Sequence, residues 1–487
     1  MSLSPRSGII VFLAALMLAP TPVSAQWSAN PASNLVLADG AADQVQAKIV
    51  ARPDGGFYVS WFDSSSGYGV YLQRLDAGGN EQWAHGGILV AARDFSSTQD
   101  YGLDIDSAGN ALLAFRYNDG SAIAQIVAQK VAPDGSLLWT APGVFVSADA
   151  GGANSPKVAG AGNGSLAVAW SSSAGAVVVQ KLDASGAALW TPAGVSVVPA
   201  SGFFFLADVH GDSAGNVIVS WSAQLSFQDR ELWAQKFASA DGGALWGATP
   251  VKLFNGSGGA MQLGNFPPFI EDGAGGGVFV WYTVGVNAGT VRIQHVDAAG
   301  ASRFAQNGLE ASADTTRSHV EPSGAYDPVS GDIYALWRET DIATQGQIGV
   351  YAQRVDSSGA RQWGSDGKVL VALSSVDQSQ MRALPVGGGG LLAAWSSNMA
   401  PNPMPVRVAR LASDGSYAWP AQIVDISTEA NATSRLAAAR SSNGFAAYAW
   451  TATGSGTPAD IHAQDINLDG SLGNPVDPIF ADGFDPD

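Results

Sequence analysis

One short segment constrains this chain more than any other feature. Gly55-Gly56-Phe57-Tyr58-Val59-Ser60-Trp61 returns, in variants, from one end to the other. Its closing aromatic falls at Trp61, Phe115, Trp170, Trp221, Trp281, Trp337, Trp395 and Trp450. Eight copies at near-equal spacing mark a repeat architecture, in which each unit buries its apolar face against its neighbours.

A second anchor follows each first one. It ends the pattern Gln-basic-apolar-Asp-x-x-Gly-x-x-x-Trp, as at Gln73 to Trp83 and Gln180 to Trp190, with related copies ending at Trp139, Trp246, Phe304, Trp363 and Trp419. The eighth copy starts at Gln464, reaches Asp469-Gly470 and runs out at Asn474 without its aromatic. The missing piece stands at the other end, where Gln26-Trp27 and Asn34-Leu35-Val36-Leu37 resemble the segment that begins Gln82-Trp83. An open array has no reason to split one repeat between its termini, whereas a ring closed by its N-terminal strand does.

Within the first unit, strands are expected at about 46–52, 56–62, 69–76 and 82–91, from alternating apolar and polar residues punctuated by Gly, Asp and Asn turns. Four strands per unit and eight units predict an all-β, eight-bladed β-propeller of four-stranded antiparallel blades. Low charge (14%), 59 glycines and no cysteine fit short strands and tight turns held by a packed core without disulfides. Fourteen of the fifteen tryptophans occupy the two anchor positions, which points to wedges between blades; Trp233 is the exception and is expected in an exposed insertion.

The first residues read as an export signal. Arg6 precedes an apolar run over 9–19, and Val23-Ser24-Ala25 offers a small-residue cleavage site. Residues 1–25 are therefore expected to be a signal peptide, 26–476 one propeller, and 477–487 a short acidic and aromatic tail. The protein is expected to be secreted, periplasmic or held at the cell envelope. No later run is long enough for a membrane helix, so no membrane insertion is expected. A formal charge of −18 argues against nucleic acid. A monomer without cofactor or metal is expected.

The run Leu182-Asp183-Ala184-Ser185-Gly186-Ala187-Ala188-Leu189-Trp190 resembles the tryptophan-docking motif of quinoprotein alcohol dehydrogenases and other PQQ-like repeat propellers, and 297–304 and 356–363 look similar. The resemblance covers most of the chain after residue 25 and implies eight blades of four strands. Those enzymes bind their quinone beside adjacent cysteines, and this chain has none. Outer-membrane assembly lipoproteins use the same scaffold without catalysis, but their lipidated cysteine is absent too. The resemblance thus implies the ring rather than the redox chemistry.

No other constellation stands out. Asp465-x-Asn467-x-Asp469-Gly470 begins like a calcium loop, yet Val476 fills the position that needs a bidentate carboxylate. The five histidines fall in different repeats, and no Gly-x-Ser-x-Gly elbow occurs. The recurring glutamine reads as a strand amide that satisfies backbone groups. Connections such as 222–232, 338–348 and 396–406 vary in length and share one face, the usual home of binding on a rigid scaffold.

Near the entrance of each innermost strand the basic residues gather. Thirteen residues before Trp61, Trp170 and Trp395 stand Lys48, Lys157 and Arg382; fifteen before Trp450 stands Arg435; Arg317 and His319 lie nearby in a copy of less certain register. They could form a cationic channel mouth for an anionic ligand, or pair with Asp100, Asp208 and Glu321 at comparable positions. The Phe203-Phe204-Phe205 run could be a sugar platform or an inter-blade plug. The favoured expectation is a non-enzymatic binding or scaffold propeller for a polysaccharide or a protein. The alternative is a polysaccharide lyase in which Arg317 neutralises a uronate and His319 abstracts its proton; a quinone-dependent oxidoreductase comes third.

Overall fold

The computed structural model describes residues 26–118, 120, 123–147, 151–191, 193–256, 259–285, 288–399 and 403–473. The expected signal peptide and tail lie outside them. Eight antiparallel sheets follow one another along the chain, and each runs from an inner to an outer strand. Blade one comprises Gln44–Ala51, Phe57–Asp63, Gly69–Leu75 and Ile88–Ala91. The inner strands of the next three blades are Gly102–Ile105, Ala153–Gly160 and Phe203–Gly211. In blade five the inner strand is broken into Ala260–Met261 and Phe269–Glu271, both paired to Gly277–Val284. Blades six, seven and eight start with Arg317–Asp327, Asp377–Val386 and Ala432–Arg440. Apart from one 3-10 turn at Ser64–Ser66, the described residues contain no helix. This is an eight-bladed β-propeller.

The ring closes as the split repeat requires. Leu35–Ala38 pairs antiparallel with Ala459–Ile466 and becomes the outer strand of blade eight, with Leu35 opposite Ala463. Trp27, Leu35 and Leu37 are buried there.

The second anchor is a docking device. The Trp27 indole N–H donates to the Ala77 carbonyl of blade one at 2.9 Å, and Trp190, Trp246, Trp363 and Trp419 make the same bond to the next blade's turn at 2.8–3.2 Å. The Asp-x-x-Gly glycine is the platform for that ring. At Gly300 (φ 86°) a Cβ would stand 2.7 Å from the Trp246 ring, and at Gly79 (φ 81°) 2.7 Å from Trp27. Glycine is thus required twice over, for positive φ and for close approach.

The recurring glutamine fastens this turn. Gln353 accepts from the Trp363 amide at 2.9 Å and donates to the Gly364 carbonyl at 2.8 Å, and Gln73, Gln129 and Gln235 do the same around their own anchors. The basic residue beside it reaches the next blade: Lys130 to the Gly164 carbonyl, Lys181 to Gly215 and Lys236 to Gly275, at 2.6–2.7 Å.

Two expectations need correction. The outer strand of blade one begins at Ile88, not at Gln82, because the chain must bend at Trp83 to send the indole sideways into its neighbour. Trp233 lies within the strand Arg230–Phe237, opposite Trp221, rather than in an exposed insertion. Its N–H donates to Glu231 at 2.8 Å and Lys252 covers its face at 4.4 Å.

Candidate functional site: the channel mouth

The inner strands share a defect. Pairing slips between Val45 and Lys48, Asn154 and Lys157, Val320 and Ser323, Ser379 and Arg382, and Ser434 and Ala437. Gln46, Ser155, Glu321, Gln380 and Arg435 sit in these bulges with φ of 51–62°, a conformation side chains rarely adopt. Bulges re-aim side chains and gather at barrel rims and functional sites. Here they turn two layers of residues toward the axis. Lys48, Lys157, Asp208 and Arg382 share one register, each opposite the residue that precedes a first anchor. Gln46, Gln380 and Arg435 lie two residues earlier.

The two sides of the mouth differ in charge. On one, Asp100 stands between Lys48 (2.8 Å) and Lys157 (2.5 Å). Burial pushes the Asp100 carboxyl up, but the two ammonium groups outweigh it and hold it well below the usual carboxylate range. In the same register as the two lysines, Asp208 meets His210 at 3.2 Å. Burial opposes the charge on His210, yet Asp208 and the carboxylates beyond it raise its affinity for a proton.

Across the channel, Arg382 and Arg435 have no carboxylate partner among the described residues. Arg382 donates to the Met381 carbonyl at 2.7 Å, and burial, followed by the like charge of Arg435, pushes its guanidinium down to about 10. Arg382 remains a cation at neutral pH. They line a cavity of about 470 Å³ with Gln46, Lys48, Asp100 and Phe266. They also line an adjoining cavity of about 680 Å³ with Phe266, Tyr282, Glu321 and Gln380. Another cavity, of about 530 Å³, lies among the hairpin turns 105–107, 160–165 and 211–215, where Lys181 is already engaged.

Lys48, Lys157, Arg382 and Arg435 therefore meet in one channel mouth; Arg317 and His319 do not join them. Arg317 pairs with Asp341 at the far end of its strand. His319 is buried against Trp337, with Nδ1 2.6 Å from Glu339 Oε2 and Nε2 2.8 Å from the Asp314 carbonyl, so both ring nitrogens are engaged. In blade six the channel positions belong to Glu321 and Ser323, and Glu321 faces Arg338 at 3.7 Å. Phe266, which no repeat pattern marks, completes the wall.

No protein-family model and no curated protein matches the chain in sequence. Solved structures match it in shape. A polysaccharide lyase of family PL25, an ulvan lyase bound to -[GlcA(1-4)Rha3S]-, is 10% identical over 92% of this chain and 96% of its own, with a TM-score of 0.49. A europium-containing methanol dehydrogenase is 12% identical over 88% and 85%, at 0.46. A Dyadobacter fermentans protein of unknown function is 12% identical over 90% and 98%, at 0.42. None of these likenesses carries a residue or an activity to this chain.

Proposed function

We propose that this is an exported, non-enzymatic binding propeller, built on a PQQ-like tryptophan-docked repeat, that holds an acidic polysaccharide at its channel mouth. One observation carries the reading: Arg382 and Arg435 share two cavities and form no ion pair among the described residues, because the carboxylates there, Asp100 and Glu321, are paired with Lys48, Lys157 and Arg338. Two guanidinium groups, Arg382 half-buried and Arg435 exposed, face the same cavities without a counter-charge of their own, and a uronate or sulfate ester supplies that charge with fork-shaped acceptors. A monomer and a cleaved leader belong to the same reading.

Polygalacturonate, alginate and chondroitin sulfate should bind in a salt-sensitive way. Arg382→Ala should weaken that binding by about ten- to a hundredfold, as for loss of a charge-assisted hydrogen bond. Unchanged affinity in this variant would sink the proposal. Asp100→Asn should have the opposite sign. It releases Lys48 and Lys157 as unpaired cations, so the protein should need more salt to leave a polygalacturonate matrix, and unchanged elution would remove those lysines from the ligand's path.

The lyase reading makes His319 the base, and both of its ring nitrogens are already engaged. Absorbance of unsaturated product, followed in the same wells, would revive it. A quinone titration that saturates would revive the oxidoreductase.

A further inference from the structure

We infer that Phe203, Phe205 and Phe266 form an aromatic shelf that extends the arginine site outward, so that the ligand is a linear acidic glycan lying across several subsites. This rests on the function proposed above and adds the chain-length requirement to it.

Along the strand Phe203–Gly211 side chains alternate, so Phe203 and Phe205 share a face while Phe204 turns the other way and packs on Trp221 at 5.9 Å. Phe203 and Phe205 lie nearly parallel, with centroids 6.4 Å apart and 29° between planes, and Phe205 meets Phe266 at 6.0 Å. Phe266 belongs to the segment that interrupts the inner strand of blade five. It lines both arginine cavities, and with Phe205 it lines a smaller one of about 190 Å³. The shelf and the cations are therefore continuous.

Phe203 is 53% exposed and Phe266 41%. Grouped exposed aromatics on a folded surface mark an interaction site. The shelf is also braced from behind. The buried Arg230 guanidinium donates to the Met261 and Phe227 carbonyls and lies 5.4 Å over the Phe227 ring, which ties the two loops around the shelf together. A braced surface loses little freedom on binding.

A row of flat apolar faces ending in two guanidinium groups matches a pyranose chain. The polarised C–H faces of sugars meet the electron-rich faces of the rings, and a carboxylate or sulfate at one end reaches Arg382 and Arg435. An apolar protein segment or a lipid surface would use the shelf as bulk hydrophobic area and would not need planar rings.

The test titrates galacturonic acid and its trimer and hexamer into the protein by calorimetry. Affinity should rise with length in the wild type. Phe205→Leu together with Phe266→Leu should cost about tenfold on the hexamer and leave the monomer unchanged, while Phe266→Trp should keep the gain. Melting curves establish that each variant is folded. If the leucine variant binds the hexamer as the wild type does, or weakens monomer and hexamer alike, the shelf is not a glycan track although the arginine site stands. If the wild type binds none of the oligomers, the function proposed above fails first. Tighter binding of an apolar peptide or of phosphatidylcholine vesicles than of the hexamer would overturn the glycan assignment in favour of a protein or lipid occupant.

Discussion

Leu35→Asp together with Leu37→Asp should abolish the cooperative unfolding transition, because these two side chains hold the ring shut. Blade eight obtains its outer strand from the other end of the chain, so no covalent link crosses the seam. What crosses it is packing and a few hydrogen bonds. Leu37 has no exposed surface and Leu35 is 4% exposed. The Asn34 side-chain amide donates to the Ile426 carbonyl at 2.8 Å and to Gln464 at 3.1 Å. Burying the two leucines is worth about 3–6 kcal/mol at about 1.5–3 kcal/mol each, a large share of the stability of about 5–15 kcal/mol usual for a folded domain. Charging the two leucine positions removes most of this and adds the cost of desolvating two carboxylates. Urea unfolding followed by tryptophan fluorescence should lose its single sharp transition and start at lower denaturant. Trp27→Ala is the milder case and should cost about 3–5 kcal/mol with the transition intact. An unchanged midpoint in the double variant would show that the seam is held elsewhere.

The same residues show why the ring is legible in the sequence and part of the site is not. A tryptophan wedge has to recur wherever two blades meet, so the anchors expose the period, the strand count and the split repeat at Gln464 and Gln26. Packing imposes itself on every copy. The channel mouth does not repeat: Lys48, Lys157, Asp208 and Arg382 share a register but not a charge. Counting back from the anchor therefore finds the position and not its role.

The count also fails where a hairpin changes length. In blade six Ser323 lies opposite Leu336, one residue off the count that works for Lys48 and Ser60, so Arg317 and His319 lie well before the true channel positions. In blade five the inner strand is broken, and no periodic signal could mark Phe266. The bulges at Gln46, Gln380 and Arg435 were unreadable for a different reason, since none of these residues is a glycine or asparagine that announces positive φ.

One departure from the repeat has a measurable consequence. Where other blades carry a basic residue after the glutamine, as at Arg74, Lys130, Lys181 and Lys236, blade eight carries Asp465. This carboxyl is fully buried. One oxygen accepts from the Gly473 amide at 3.0 Å and the other has no partner among the described residues. Burial pushes its pKa up to about 7, and the Gly473 bond pulls back only in part. In the unfolded chain an aspartate titrates near about 3.9. The folded state therefore binds the proton more tightly, and its stability falls as pH rises from about 4, reaching the full loss above about 7. The difference in pKa sets an upper bound of about 4 kcal/mol on that loss.

Asp465→Asn keeps the shape and cannot ionise. It should match the wild type at pH 4 and be more stable at pH 8 by about 1–4 kcal/mol, with the gap opening between those values. Subtracting the two melting profiles cancels every other titrating group. The charge would fall on the seam itself, because Gln464 holds both Asn34 and the Ser28 carbonyl. Ionised Asp465 should therefore loosen closure before the other blades, and tryptophan fluorescence in urea at pH 8 should show an early phase in the wild type that Asp465→Asn lacks. A stability gap that stays constant from pH 4 to pH 8 would mean that Asp465 does not titrate in this range.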